Sequence, residues 1–572
     1  MTPGVQSRQD GKRATAGQTA RVAAQSKTGA GAAQAPPRSF ATLLYGLAGC
    51  ALAWAALPPL GLWPLAWLAP IPWLLLIRRA QLPGRRPYVA LWLAGMGYWM
   101  TTLHWLRLPH PATAIGWIAL SVYMSIYLPI FVGLSRVAVH RARCSLLIAA
   151  PVIWAGLELA QSHMLTGLNI ATLGHSQYRW IELIQISDLC GGYTVSFLIV
   201  LVAAAAVRAY PLEGARWRFW PAIPAIAALV AALAYGHQRM AAEHTRDGLK
   251  VALIQGSVDI DMKLDKARTQ EIYDQYLALT KQAITEHDDI DLIVWPETMF
   301  RDPMLLYTDD VHAPEGVDWS KEELVRAAED HKNLLKNVAK RFRAPSLLGM
   351  QTVVFGPGVI DTYNSAVLID EQGVVQGRYD KMRPVMFGEY VPFAEYIPWL
   401  YRLTPLEGGL KRGEQPQSLI VRGGRVAPSV CFETFLPHFI RGQVSMLADQ
   451  NEEPDLLVNL TNDGWFWGST ELDLHLIAGA FRAVECRKPL AIAANTGFSA
   501  VIDADGRILQ QGPRRATDVL VADIPFDTRR SPYVMVGDLG AGVCLLFALA
   551  MAGIGGWDVA QRRRQARRAV AS

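Results

Sequence analysis

Apolar residues gather into eight runs near membrane-spanning length, at about 40–57, 62–77, 88–106, 115–134, 144–161, 192–208, 219–236 and 538–556. A helix that crosses lipid needs roughly 20 such residues. The second run is short and bracketed by Pro58, Pro59 and Pro64, which leaves its edges the least defined. Between the seventh and eighth runs the pattern changes. Leu249 to Gln255 reads as a buried strand, and a helix follows with Ile272, Tyr276, Leu279 and Ala283 on one face. The apolar run before Glu297 is a second strand. A helix over about 321–342 carries a stripe of Leu324, Ala328, Leu335, Val338 and Phe342. Strands are predicted at 346–354 and at 364–370, the latter paired through a Gly373 turn with 374–379. After residue 431 come a strand at 455–460, a helix at about 471–486, and strands at 490–495, 499–503 and 518–523. This alternation predicts a layered α/β domain.

The first 38 residues are rich in Ala, Gly, Gln, Ser, Thr and basic residues without apolar periodicity, which predicts a disordered tail. The long polar stretch ahead of the first run argues against a cleaved signal peptide. The domain plan is therefore a tail at 1–38, a seven-helix transmembrane region at 39–237, a polar catalytic domain at 249–526, an eighth transmembrane helix at 538–556 and a basic tail at 557–572. Arginine placement orients it. Basic residues crowd the first tail, the loop with Arg78, Arg79, Arg85 and Arg86, the loops with Arg136, Arg141 and Arg143 and with Arg208, Arg216 and Arg218, and the final tail. The loops between are poor in Lys and Arg. Both termini are then cytoplasmic, and the polar domain lies opposite, in the periplasm of a Gram-negative cell.

Composition agrees with a chain partly in lipid: 51% hydrophobic and only 18% charged residues, with a mean hydropathy of +0.16. The formal charge of +5 is small for 572 residues, and its arginines form short blocks rather than a continuous basic face, so nucleic acid is not implied. Six scattered cysteines lack the close spacing of a zinc site or disulfide framework, and no metal or other cofactor is called for. Cys486 sits in a helical pattern and reads as structural. Glu158, at the end of the fifth run, reads either as solvated at the lipid boundary or as a functional intramembrane carboxylate.

Cys431 differs from the other cysteines because it ends a short apolar run beginning near Val426, where a buried strand breaks into a turn. A cysteine attacks a carbonyl as thiolate, so it needs a base and a positive group for the oxyanion. Glu297 ends the strand Asp291-Leu-Ile-Val-Trp-Pro-Glu297, and Lys381 ends the strand carrying Tyr379-Asp-Lys381. Glu297 reads as general base, Lys381 as oxyanion stabiliser and Cys431 as nucleophile. The amide of Phe432 offers one further oxyanion donor, and Glu433 flanks the nucleophile.

The order and setting of these three residues resemble the Glu-Lys-Cys triad of the carbon-nitrogen hydrolase (nitrilase) superfamily. Phe387-Gly-Glu-Tyr-Val-Pro-Phe393 after the lysine, with an apolar region before the domain, resembles its membrane branch, the apolipoprotein N-acyltransferases. The likeness covers about residues 40–555 and includes Gln255-Gly256-Ser257, Leu173-Gly-His-Ser-Gln177, Asn459-Leu-Thr-Asn-Asp-Gly-Trp-Phe466 and His475 through Arg482 to Glu485. It departs at Met386, where a proline is expected, and at Leu264, where a tryptophan is usual. The resemblance implies a four-layer αββα sandwich joined to a multi-pass helical membrane domain. It also implies a role for Glu389 in supporting Lys381 or the substrate amine. The implied reaction has two steps: Cys431 takes an acyl chain from a phospholipid, and the thioester passes it to the α-amine of a diacylglyceryl-cysteine on an apolipoprotein. The alternatives are a membrane-anchored amidase and a catalytically inactive lipoprotein-binding component. The glycine-rich Gly408–Gly413 stretch is expected to form a mobile lid.

Overall fold

The computed structural model describes residues 40–211, 216–241, 244–259, 265–312, 320–394 and 409–571, with Met1, Met262, Lys263, Tyr396, Ile397 and Trp399. Residues 2–38 of the tail expected to be disordered, Leu264 and the start of the glycine-rich stretch at Gly408 lie outside the described residues.

Every apolar run coincides with helix. Among the described residues the α-helices of this region are α1 (Ala41–Ala55), α2 (Pro70–Arg78), α3 (Pro87–Thr102), α4 (Thr113–Met124), α5 (Tyr127–His140), α6 (Leu146–His163), α7 (Ile181–Ile184), α8 (Ser187–Cys190), α9 (Tyr193–Ala209) and α10 (Ala222–Met240). Among the described residues, however, only three stretches are long and apolar enough to cross a membrane: Thr113–His140, Leu146–Thr166 and Leu539–Ala569. A fourth counts if Ile181–Cys190 and Tyr193–Ala209, bent by 115°, form one span. The expected eight exceeds this because several runs fold as short helices. The 15 residues of α1 rise about 22 Å at 1.5 Å each, short of the roughly 30 Å hydrocarbon core.

Glu158 is neither solvated nor free. It is buried on α6, where Trp154 Nε1 donates to its Oε1 at 2.8 Å.

The polar region forms two sheets. One takes β1 (Thr245–Gln255), then, after α11 (Thr269–Glu286), β2 (Leu292–Trp295) and β3 (Met304–His312). After α12 (Lys321–Phe342) it takes β4 (Ser346–Pro357), β5 (Val359–Ile369) and β6 (Val375–Asp380). The other takes β7 (Leu419–Val421) and β8 (Gly424–Val430), then α13 (Pro437–Asp449) and β9 (Leu456–Thr461). After α14 (Glu471–Cys486) it ends with β10 (Leu490–Ala494), β11 (Ala500–Ile502) and β12 (Ile508–Gln511). β13 (Asp518–Asp527) returns to the first sheet. The strand orders are β13-β1-β2-β4-β5-β6, with β3 on β4, and β12-β11-β10-β9-β8-β7.

The sheets bury their inner faces against each other through Leu253, Val294, Leu347 and Leu368 on one side and Val430, Val458, Leu460 and Val501 on the other. α11 and α12 cover the outer face of the first sheet, and α13 and α14 that of the second. This is the αββα layering expected. The α12 stripe is buried as its periodicity predicts, and a Ser320/Glu323 capping box starts the helix. The β5–β6 turn uses Gly373 at φ +77°, a left-handed conformation that glycine adopts without penalty. Strands β3, β7 and β12 and helix α13 were not anticipated. After α15 (Pro532–Val536) comes α16 (Leu539–Ala571), which runs on as helix through the segment expected to be a basic tail.

A buried polar seam ties the two regions together. The loop at 162–191 folds back through α7 and α8, so Asp188, fully buried, accepts from Arg487 Nε at 2.7 Å, Arg239 Nε at 2.9 Å and Tyr235 Oη at 2.7 Å. Arg487, also fully buried, reaches Asp505 Oδ1 at 3.0 Å, and Arg529 meets the same carboxylate at 2.7 Å. Gly192 N donates to Glu485 Oε1 at 2.8 Å.

Candidate active site

Three strand ends converge at one rim of the sandwich. Glu297 follows β2 by Pro296 and is 6% exposed; its corner is tight enough that a Cβ on Gly349 would lie 2.1 Å from Pro296 O. Only glycine at 349 permits that approach. Lys381 follows β6, is 2% exposed, and its amide donates to Asn364 O at 2.8 Å. Cys431 follows β8 and opens a 3₁₀ turn, Cys431–Phe435. Its φ of +52° is a left-handed strain that a non-glycine residue holds at a cost of about 1–3 kcal/mol. Cys431 still packs at the edge of the core between the two sheets.

Lys381 Nζ lies 2.9 Å from Glu389 Oε1 and 3.2 Å from Glu297 Oε1. Asn364 Nδ2 donates to the same two oxygens, at 3.2 and 2.7 Å respectively. The other oxygen of Glu297 accepts from Asn462 N at 3.0 Å, and that of Glu389 from Val385 N at 2.7 Å. Each carboxylate is thus fixed at both ends. Burial pulls the Lys381 ammonium down, but Glu297 and Glu389 outweigh it and hold its pKa well above the lysine range. Burial pushes the Cys431 thiol well above its ordinary value, Glu297 adds to this, and Lys381 opposes it. The resting cysteine therefore carries its proton. A thiolate forms only as that proton moves to a neighbouring base.

Glu433 does not face this cluster. Its carboxylate accepts from Tyr379 Oη at 2.8 Å and Val430 N at 2.7 Å on one oxygen, and from Met382 N at 2.7 Å and Arg383 N at 2.9 Å on the other. It staples the end of the lysine strand to the cysteine turn. Glu433→Gln turns one acceptor into a donor facing backbone N–H groups and is expected to cost about 1–3 kcal/mol. A lower unfolding temperature in detergent is the check; an unchanged one would remove the staple. The Phe432 ring packs beside Phe435, centroids 6.1 Å apart.

Asn364 carries no strong sequence signal; it sits in Thr362-Tyr-Asn364 on β5, whereas Thr461, at the end of β9 and within the Asn459–Phe466 stretch, opposes the upward push on the Cys431 thiol. An alternating strand does reveal that Asn364 interrupts its apolar face, and an asparagine there needs polar partners. Asn459 Nδ2 braces the turn through Ser429 Oγ at 3.0 Å and Cys431 O at 3.4 Å.

One group among the described residues has metal-ligand chemistry: buried Asp463, Glu471 and His475 offer ligand atoms within 4.8 Å of one another. Thr461 Oγ1 donates to Asp463 Oδ1 at 2.6 Å, and His475 Nδ1 lies 3.2 Å from it. Burial, then Asp463, raises the Glu471 carboxyl well above the usual range, so it retains a proton. A cavity of about 540 Å³ lies at the seam, walled by Trp54, Leu57 and Trp63 from the helical region and by Ser469 and Arg514 from the sandwich. Its lining includes none of the three strand-end residues.

Comparison with known proteins follows this division. Residues 49–205 match the family described as apolipoprotein N-acyltransferase N-terminal domain, and residues 250–532 match carbon-nitrogen hydrolase. An apolipoprotein N-acyltransferase of Rhodopirellula baltica is 30% identical over 561 residues, spanning 89% of this chain and 97% of the relative. One of Geobacter metallireducens is 31% identical over 532 residues, spanning 91% and 95%. Among solved structures, Saccharomyces cerevisiae Nit3, of the nitrilase superfamily, is 16% identical, with 50% of this chain and 92% of that one covered at a TM-score of 0.34.

Proposed function

Because the chain belongs to the apolipoprotein N-acyltransferase family, we propose that Glu297, Lys381 and Cys431 perform its N-acylation of lipoproteins as a two-step transfer. In the first step Glu297 takes the Cys431 proton, and sulfur attacks the ester carbonyl of a phospholipid. Lys381, with the Phe432 amide, holds the oxyanion. The C–O bond breaks, Glu297 returns the proton to the departing oxygen, and a lysophospholipid leaves. In the second step the α-amine of a diacylglyceryl-cysteine attacks the thioester. The C–S bond breaks, and Glu297 moves the amine's proton toward the thiolate. Glu389 supports Lys381 by charge and by the shared Asn364 bridge.

The observation that carries this reading is the buried pairing of Lys381 with Glu297 at 3.2 Å, within electrostatic reach of the strained Cys431 turn. A lysine so committed stays cationic and fixed, as an oxyanion site needs. The attachment to apolar helices favours lipid substrates over the soluble amides of an amidase.

Our reading of the membrane arrangement is that all eight apolar runs lie in the bilayer. Leu44 and Leu47 on α1, Val89 and Leu93 on α3, and Ile223, Ile226 and Val230 on α10 are exposed at helical spacing, as lipid-facing side chains would be. The domain plan of the sequence is retained with it: helices at 39–237 and 538–556, and a catalytic domain at 249–526 on the periplasmic side of the inner membrane, with both termini cytoplasmic. Protease that trims the last 15 or so residues only from the cytoplasmic face would support that orientation.

The test of function is incubation of the purified protein with acyl-labelled phospholipid and a diacylated lipopeptide. Label on the peptide's α-amine is the expected product. Free fatty acid with unmodified peptide would instead favour a hydrolase, in which water takes the acyl group from Cys431, and no turnover the inactive binding component.

A further inference from the structure

Lys263 is a second lysine at the site, and the triad chemistry leaves it without a role. It lies in the segment after β1, held by its amide to Asp259 O at 3.0 Å. Its ammonium donates to Thr298 Oγ1, and that hydroxyl donates to the carbonyl of Glu297 at 2.8 Å. Thr298 is itself strained, with φ +53°. A strained corner beside the base is thus held from outside by a charged side chain.

The charges around the thiol give this contact a purpose. Glu297 and Glu389 face one cation, Lys381. Asp463, which His475 faces, adds further negative potential at Cys431. With Lys381 alone this cluster has an excess of carboxylate, which opposes thiolate formation. Lys263 brings a second positive charge within electrostatic reach of both Glu297 and Cys431. Asp259, on its own segment, is occupied by Arg515 at 2.9 Å.

We propose that Lys263 is a positioning residue for the acyl transfer: it anchors the Glu297–Thr298 corner and supplies the positive charge that offsets the carboxylate excess, so that the Cys431 thiolate becomes accessible. This deepens the triad reading and rests on it. Burial brings the Lys263 ammonium down to about 8, opposed by Glu297 and Cys431. It therefore remains mostly charged at neutral pH.

The test separates the proposal from the acyl-transfer reading by using a reagent that needs no lipid. The rate of Cys431 alkylation by iodoacetamide is measured at neutral pH, where Lys263 is mostly charged, by peptide mass spectrometry in the full-length native protein and in Lys263→Met and Lys263→Arg. The expected result is a rate about tenfold lower in Lys263→Met, restored toward native in Lys263→Arg. Thr298→Ala keeps the charge but frees the anchor, and is expected to slow alkylation less. Should Lys263→Met fail to fold, this variant and Lys263→Arg still decide. A native rate in Thr298→Ala overturns the anchor. A Lys263→Met rate equal to native, or a Lys263→Arg rate as low as that expected for Met, overturns the charge role. Native protein that alkylates as described but takes no acyl chain from phospholipid would count against the acyl-transfer reading alone.

Discussion

Cys431→Ala is expected to abolish both the acyl-enzyme and lipopeptide N-acylation, with a fall of at least about 10⁴-fold. Alanine removes the sulfur but keeps a small side chain on the strained turn at φ +52°, so the fold should survive. The loss would be in the reaction rather than in stability. Glu297, Lys381 and Glu389 would still be paired in the variant, because their contacts with Asn364 and Asn462 do not pass through the thiol. Unfolding temperature and N-acylation, measured on one preparation, distinguish the outcomes. Activity within tenfold of native would contradict the role of Cys431, and loss of the unfolding transition would mean that the residue acts in folding.

The second large effect lies at the seam. Arg487→Met is expected to destabilise the protein by about 3 kcal/mol, because it leaves Asp188 and Asp505 buried with one fewer cation each. Asp188 keeps Arg239 and Asp505 keeps Arg529, which places the cost near the low end for a broken buried pair. The exposed Arg268–Glu271 pair is the control: its removal should leave the unfolding temperature unchanged. Thermal unfolding in detergent reads both. The double variant with Asp188→Asn should cost less than the sum of the two singles, since the pair is removed together. Full additivity would mean that the two residues do not act on each other.

Most strands and helices of the polar domain were legible because its strands are short apolar runs and its helices carry clean stripes, whereas the four-layer arrangement came from the family resemblance. The α12 stripe from Leu324 to Phe342 is buried as read, and the β5–β6 hairpin closes at Gly373. Strand β3 was missed because Met304–His312 carries little apolar alternation and most of it is exposed. Helix α13 was missed although Phe439, Ile440, Val444 and Leu447 form its buried face; a short helix that opens at Pro437 directly after a turn offers few residues from which to read a period. In the membrane region the apolar runs were legible, but among the described residues only three of the helices they form, or four with the bent pair, are long and apolar enough to cross. Hydropathy finds apolar segments, but whether a segment crosses depends on its helical length, and Pro58, Pro64 and Pro70 divide the first two runs into short pieces.

At the site, residue types at strand ends pointed to Glu297, Lys381 and Cys431, which the fold brings to one rim. Glu433 was read only as a flanking acid; its bonds to Tyr379 and three backbone amides depend on strands distant in sequence. Lys263 and Asn364 were not read at all. Their meaning comes from what they touch across the fold, and a lone lysine or asparagine in sequence does not announce a partner 35 or 67 residues away.

The most direct test of the account is a single-turnover experiment on the purified protein. Phospholipid is added alone, excess lipid is removed, and the intact mass and the Cys431 peptide are measured before and after addition of a diacylated lipopeptide. The account predicts one fatty-acyl mass on Cys431 that disappears as the same mass appears on the peptide's α-amine. An acyl mass on another residue, or peptide acylation without any adduct on Cys431, would contradict it.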